Sequence, residues 1–182
     1  TDSLPAIAIG LEPHNKKVMY ERPRDIRQPL LSKSFATNVA LEGLVIAFAT
    51  IIAFEVGRQT DTITASTMAF ATLCLARLFH GFNCRSKQPL YKIGLFTNKE
   101  SWLAFLAGVI LLHIVLLIPA LSGVFEVAAL DWSQLFTIYG LAIIPLIVVQ
   151  LWKTIAQKQS WENIYCNIVL KNFSQAFALE AQ

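Results

Sequence analysis

The sequence predicts an all-α protein, a polytopic bundle of helices that cross a membrane. Hydrophobic residues make up 55% of the 182 positions and charged residues only 15%, and the mean hydropathy is +0.53. Soluble domains are usually about 45 to 50% apolar, so this composition places the chain in the membrane class. Four long apolar stretches and the basic residues between them support the same conclusion.

The four apolar stretches reach roughly the 20 residues that a helix needs to cross a hydrocarbon core about 30 Å thick. We predict spans at residues 35–56, 63–82, 102–121 and 133–152. Trp102, Trp132 and Trp152 mark span ends, as interfacial anchors do. Because the loops on the outer side are short, consecutive spans should be antiparallel neighbours in a helical bundle.

The positions of the basic residues predict the topology. Of the fifteen Lys and Arg residues, only Arg58 lies in an opposite loop and only Arg77 lies inside a span. Because short loops rich in Lys and Arg stay cytoplasmic, we expect both ends of the chain to be cytoplasmic. The net charge of +3 therefore reflects topology, and we expect no nucleic-acid partner.

Ionisable groups within the spans are the candidates for function, because charges are costly in hydrocarbon. Arg77 lies roughly 7 to 8 Å from the cytoplasmic end of its predicted span. Its guanidinium either reaches the headgroups or turns into the bundle to pair with a carboxylate; His80 shares roughly the same helix face. We expect Glu42 to pair with a neighbouring helix or face water, and His113 to form an interhelical hydrogen bond. No motif of a soluble enzyme occurs, so no catalytic or cofactor-binding residue is assigned.

The first five residues, Thr1-Asp2-Ser3-Leu4-Pro5, allow two interpretations. A carboxylate or hydroxyl before a first-turn proline is typical of a helix N-terminus, where Asp2 would be a cap. If the helix extends upstream, Asp2 is an intramembrane carboxylate beside a proline that frees backbone carbonyl oxygens. Carboxylate, hydroxyl and carbonyl oxygens are the ligands that hard cations such as Ca²⁺ prefer.

Four motifs in the sequence resemble those of a known family, the P-type cation-transporting ATPases of the calcium-pump (type II) branch. The motifs that carry the resemblance are Thr1-Asp2, Leu4-Pro5-Ala6-Ile7-Ala8-Ile9-Gly10, Glu21-Arg22-Pro23-Arg24-Asp25 and Gln28-Pro29-Leu30-Leu31. In that family the first two belong to the sixth membrane helix and the others to the loop before the seventh. The resemblance covers about residues 1–158, so the bundle should be the end of the sixth helix plus helices seven to ten.

The resemblance also implies an ion site. Asp2 corresponds to an aspartate that coordinates transported Ca²⁺, and Thr1 to an adjacent threonine that supplies a further oxygen. Arg77 aligns with a glutamate that helps to build the second of two calcium sites. Because an arginine cannot ligate a cation and its charge repels one, we expect one Ca²⁺ per cycle, with Arg77 replacing the second cation.

The same resemblance predicts the organisation of the chain. Residues 1–10 should be the cytoplasmic half of a truncated transmembrane helix, 11–34 a cytoplasmic loop, 35–158 four transmembrane helices, and 159–182 a cytoplasmic tail. The tail does not match the family's usual short ending, and its apolar residues allow an amphipathic helix at the membrane surface.

Partners and cofactors are likewise implied by the family. The partners are the lipid bilayer and the pump's missing upstream helices and cytoplasmic domains. ATP and Mg²⁺ bind the intact pump and not this fragment, which should be inactive alone. The resemblance favours a bacterial plasma membrane.

Two alternatives stay open at this point. One is a P-type pump for another cation, such as Na⁺, Mn²⁺ or H⁺, which the ion dependence of ATP hydrolysis would identify. The other is a non-enzymatic four-helix membrane protein that binds a partner and transports nothing.

Overall fold

A computed structural model describes residues 3–12, 33–86 and 88–180, and it describes their side chains except at residues 34, 119, 120 and 158–180. All regular structure in these ranges is helical, which confirms the predicted all-α class. The helices are α1 (Ser3–Gly10), α2 (Lys33–Arg58), α3 (Thr62–Cys84), α4 (Leu90–Ile93), α5 (Lys99–Leu117), α6 (Pro119–Phe125) and α7 (Trp132–Glu180).

Within the described ranges, four helices are long and apolar enough to cross a membrane, as predicted. The segments are Phe35–Arg58, Thr62–Cys84, Lys99–Leu117 and Trp132–Gln157. The third ends at Leu117 and not at residue 121, because Pro119 lacks a backbone donor and disfavours helical geometry at the residue before it. Ile118 is extended accordingly, and Pro119 starts the separate helix α6.

Local capping explains where α3 begins. Asp61 is the N-cap of α3, and its Oδ1 accepts a hydrogen bond from the Thr64 backbone amide at 2.7 Å. The Thr64 hydroxyl donates to the other carboxylate oxygen at 2.8 Å. These two hydrogen bonds from Thr64 lower the pKa of Asp61, because they favour its charged form.

The central helix of the bundle is α3, which packs against α2, α5 and α7 and also touches α1. Its buried face consists mainly of small and aliphatic residues, among them Ala65, Met68, Ala71, Leu75, Ala76 and Leu78. By contrast, α2 exposes large apolar side chains, including Leu44, Phe48 and Ile51. Lipid tails are as apolar as these side chains, so association of the helices depends on close packing of small residues.

A close approach of this kind lies between α2 and α3 at Gly57. A Cβ atom placed on Gly57 would lie 2.6 Å from the Cα of Ala65 and 2.9 Å from its nitrogen. Both atoms are backbone, so neither can rotate away. The absence of a side chain at Gly57 therefore lets the two helices meet immediately before the turn that joins them.

We predict that Gly57→Ala destabilises the bundle by about 1 to 3 kcal/mol, the usual cost of overpacking a tight contact. The measurement is thermal unfolding of the purified chain in detergent micelles, followed by circular dichroism. Gly43→Ala is the matched control, because it lies in the same helix and nothing is within 4 Å of the added atom. Equal unfolding temperatures for the two variants would contradict the prediction.

Candidate functional site

The structure describes one of the three predicted ion-site residues. Thr1 and Asp2 lie outside the described residues. Arg77 lies on α3 with an exposed side chain. The structure nevertheless brings together the helices concerned, because α1, which begins at Ser3 directly after Asp2 in the sequence, packs against α5 and α3.

Helix α1 packs closely against α3 and α5, but few of its side chains are buried. Ala8 is the one α1 side chain that is buried, at 4% exposure. Pro5 lies over α3, where a Cβ on Gly81 would be 3.7 Å from the Pro5 Cβ. A cavity of only about 10 Å³ remains between α1, α3 and α5, lined in part by Pro5, Ile9 and Ser101.

A polar cluster immediately after α1 fixes it to the rest of the bundle. The guanidinium of Arg85 donates two hydrogen bonds to the Glu12 carboxylate, from Nε to Oε2 at 2.9 Å and from Nη2 to Oε1 at 2.8 Å. The amide of Asn98 donates to Glu12 Oε2 at 2.6 Å and to the Ala8 carbonyl at 3.0 Å. Arg85 Nη1 also donates to the Leu95 carbonyl at 3.2 Å. We call Glu12, Arg85 and Asn98 the Glu12 clamp.

The electrostatics of the Glu12 clamp favour a charged pair. The Arg85 side chain is fully buried, whereas that of Glu12 keeps 20% exposure. The hydrogen bond from Arg85 holds the pKa of Glu12 below its ordinary value of 4.5; partial burial opposes this, and the hydrogen bond from Asn98 adds to it. A buried guanidinium without its carboxylate would be costly, so Glu12 and Arg85 depend on each other.

A second polar cluster surrounds the C-terminal end of α3. Glu42 of α2 lies 3.3 Å from the imidazole of His80, which confirms that Glu42 pairs with a neighbouring helix. Lys153 of α7 donates to the carbonyls of Asn83 at 2.5 Å and Ser86 at 2.7 Å. The last carbonyls of a helix lack intrahelical donors, so Lys153 satisfies the end of α3.

Residue His113 links α5 to α7. Its Nδ1 lies 2.8 Å from the Val109 carbonyl and therefore carries the proton, and its Nε2 lies 3.1 Å from the Tyr139 hydroxyl, which donates to it. The predicted interhelical hydrogen bond of His113 is thereby confirmed. Both ring nitrogens are occupied by protein groups, so the geometry is that of a structural contact.

Sequence reasoning missed the clamp. In the sequence, Arg85 is one of the basic residues that predict the topology, and no pattern distinguishes Glu12 or Asn98. Their sequence separations of 73 and 86 residues exceed any local helix or turn pattern. The available signal was the position of Arg85 at the end of a span, where a buried arginine needs a carboxylate.

Taken together, four membrane-length helices joined by buried polar contacts define the chain as an integral membrane protein of the polytopic helical class. The chain belongs to the family of C-terminal regions of cation-transporting ATPases. The family model described as "Cation transporting ATPase, C-terminus" matches residues 1–155, in agreement with the resemblance seen in the sequence.

Relatives named as calcium-transporting ATPases share this region. The chain is 34% identical to Calcium-transporting ATPase 1 of Bacillus cereus over 84% of its own length and 19% of that protein. It is 35% identical to Calcium-transporting ATPase 1 of Lactococcus lactis, over 85% of the chain and 18% of that protein. Identity to Calcium-transporting ATPase type 2C member 1 of Pongo abelii is 26%, over 87% of the chain and 18% of the relative. The chain thus spans about a fifth of the length of these relatives.

The clamp predicts a pH dependence of stability. Because the pKa of Glu12 is lowered on folding, its pairing stabilises the fold above the ordinary value of 4.5, and this contribution is lost as pH falls through the lower folded value. Between pH 7 and pH 3, the wild-type chain should lose more stability than Glu12→Gln, which has no carboxylate to protonate. Thermal unfolding in micelles across this range measures the difference.

Residue Glu55 provides the control for this pH experiment. It pairs with Arg58 at 2.8 Å, but both side chains are more than half exposed. Exposed pairs contribute little to stability, so Glu55→Gln should follow the wild-type pH profile. Identical profiles for wild type and Glu12→Gln would show that the clamp carboxylate does not contribute.

Proposed function

We propose that this chain is the C-terminal membrane part of an ATP-driven calcium pump, where it supplies part of the cation site and the helices that support it. The observation that carries the proposal is the packing of α1 against α3. The first of these helices follows Asp2 in the sequence and the second carries Arg77, so the fold joins the two elements that the family resemblance connects with the ions. The names of the relatives support Ca²⁺ as the transported ion.

In the proposed site, Asp2 provides a carboxylate ligand and Thr1 a further oxygen. Ca²⁺ binds six to eight oxygen ligands, so the remaining ligands would come from other helices of the pump. Arg77 has no lone pair to offer and contributes a fixed positive charge in place of a second cation. The pump would accordingly move one Ca²⁺ per cycle.

The remaining parts of the pump would lie in other segments of the intact protein. ATP and Mg²⁺ would bind its cytoplasmic domains, and the fragment alone would be inactive. The asymmetry of the Lys and Arg residues supports cytoplasmic positions for both ends. The Bacillus and Lactococcus relatives support a bacterial plasma membrane, and the family match over residues 1–10 favours a pump over a free-standing four-helix protein.

The test of this function uses the intact pump in inside-out membrane vesicles. Wild type should take up radioactive calcium when ATP is added, and Asp2→Asn should lower uptake at least about tenfold, since it removes a charged ligand worth more than about 1.4 kcal/mol. Glu100→Gln, which removes an exposed carboxylate in the first turn of α5, is the matched control and should transport normally. ATP-dependent uptake of Na⁺ or Mn²⁺ by vesicles that do not take up Ca²⁺ would identify another cation as the substrate.

The role of Arg77 predicts a change in stoichiometry. We expect Arg77→Glu to raise the calcium bound per phosphoenzyme from about one to about two, because a carboxylate restores the ligand type that hard cations prefer. Equilibrium binding of radioactive calcium, normalised to phosphoenzyme, gives the ratio. Arg58→Glu makes the same charge change at the exposed end of α2 and should leave the ratio at one; an unchanged ratio in Arg77→Glu would refute the assigned role.

A further inference from the structure

The Glu12 clamp joins the ends of two particular helices. Glu12 follows α1 after one intervening residue, and Arg85 is the C-cap of α3. These are the helices connected with Asp2 and Arg77. We propose that the Glu12 clamp is a positioning device that sets the depth of α1 in the membrane relative to α3, an inference that rests on the proposed function.

A described contact agrees with the clamp about the depth of α1. Arg85 comes four residues after Gly81, and Gly10 comes five residues after Pro5. At a rise of 1.5 Å per residue, these separations are about 6 and 7.5 Å, and a Cβ on Gly81 would lie 3.7 Å from the Pro5 Cβ. The clamp and this contact therefore hold α1 and the end of α3 side by side at the same level.

The bonds of the clamp restrict sliding of α1 along α3. A guanidinium and a carboxylate held by two parallel hydrogen bonds have a defined relative orientation as well as a defined distance. Moving α1 by one residue, about 1.5 Å, would stretch the bonds of 2.8 and 2.9 Å beyond hydrogen-bonding range. The burial of the Arg85 side chain makes such a movement costly, because the charge would lose its partner.

The third member of the clamp ties in another helix. Asn98 is the N-cap of α5, and its Oδ1 accepts a hydrogen bond from the Ser101 amide at 2.8 Å. Its two amide protons go to the Ala8 carbonyl and to Glu12. Both amide donors and the carbonyl oxygen of Asn98 are thus used, and the start of α5 is fixed to the end of α1.

The clamp supplies the directional contacts between α1 and its two neighbours. Within α1 the buried side chain is that of Ala8, which is small and apolar, so its contact has no preferred direction along the helix. In the described part of the chain, the side-chain hydrogen bonds that set the depth of α1 are those of the clamp, and Glu12 and Arg85 act through position and not as ion ligands.

The experiment measures the calcium dependence of phosphorylation in the intact pump. Glu12→Gln keeps the size of the side chain but loses the charge pair, and we expect it to raise the Ca²⁺ concentration for half-maximal phosphorylation about tenfold, or 1.4 kcal/mol. The calcium bound per phosphoenzyme and the maximal phosphorylation should not change. Arg85→Lys, which keeps the charge but loses the planar fork, should give a smaller increase.

A control and a structural reporter accompany these variants. Glu55→Gln breaks an exposed pair at the other end of the bundle and should not change the calcium dependence. Trp102 donates its indole N–H to the Leu95 carbonyl at 2.8 Å, the same carbonyl that Arg85 contacts. Its fluorescence, measured with the other tryptophans replaced by Phe, reports whether a variant has disturbed the clamp.

The outcomes separate the two proposals. If wild type shows calcium-dependent phosphorylation and Glu12→Gln shifts the Trp102 emission without changing the half-maximal Ca²⁺ concentration, the positioning role is overturned and the proposed function stands. A fall in maximal phosphorylation at an unchanged half-maximal concentration also overturns it, because that result indicates only a loss of folded pump. If wild-type phosphorylation does not depend on Ca²⁺, the proposed function fails, and the positioning role fails with it.

Discussion

A positive charge placed beside the hydrocarbon layer must have a partner, and in this protein that requirement is concentrated at Arg85. Its guanidinium has no exposed surface, and it is neutralised by Glu12 through two short hydrogen bonds. Because the partner lies just beyond α1, satisfying this one charge also attaches α1 to the bundle. The carboxylate that the buried Arg85 charge requires is thus also the group that connects α1 to α3.

The same physical need recurs at the ends of the other helices. Lys153 of α7 donates to the carbonyl of Asn83 in the last turn of α3, which has no donor within its own helix, and to that of Ser86 just after the helix. Asn98 caps α5 and at the same time binds α1. In each case a polar group that the end of a helix leaves unsatisfied is paired with another helix, so the ends of the bundle are held by directional bonds and its middle by close packing of small side chains.

The sequence predicted the parts of this architecture that depend on local composition. The four spans follow from length and hydropathy, and the types of partner for Glu42 and His113 follow from the cost of burying polar groups. The exact partners, His80 and Tyr139, did not follow, because they depend on how the helices rotate against each other. For the same reason the clamp does not follow, and the family resemblance is what favours Asp2 as an ion ligand over a helix cap and adds Thr1 to the predicted site.

The long separation of Glu12 from Arg85 and Asn98 has a consequence for how the protein is made. Glu12 leaves the ribosome first, and its partners follow 73 and 86 residues later, after α2 and α3 have been synthesised. Since chains emerge from the N-terminus, the carboxylate is without these partners until α2 and α3 have been made. The attachment of α1 is therefore a late step in biogenesis, completed only when the beginning of α5 arrives.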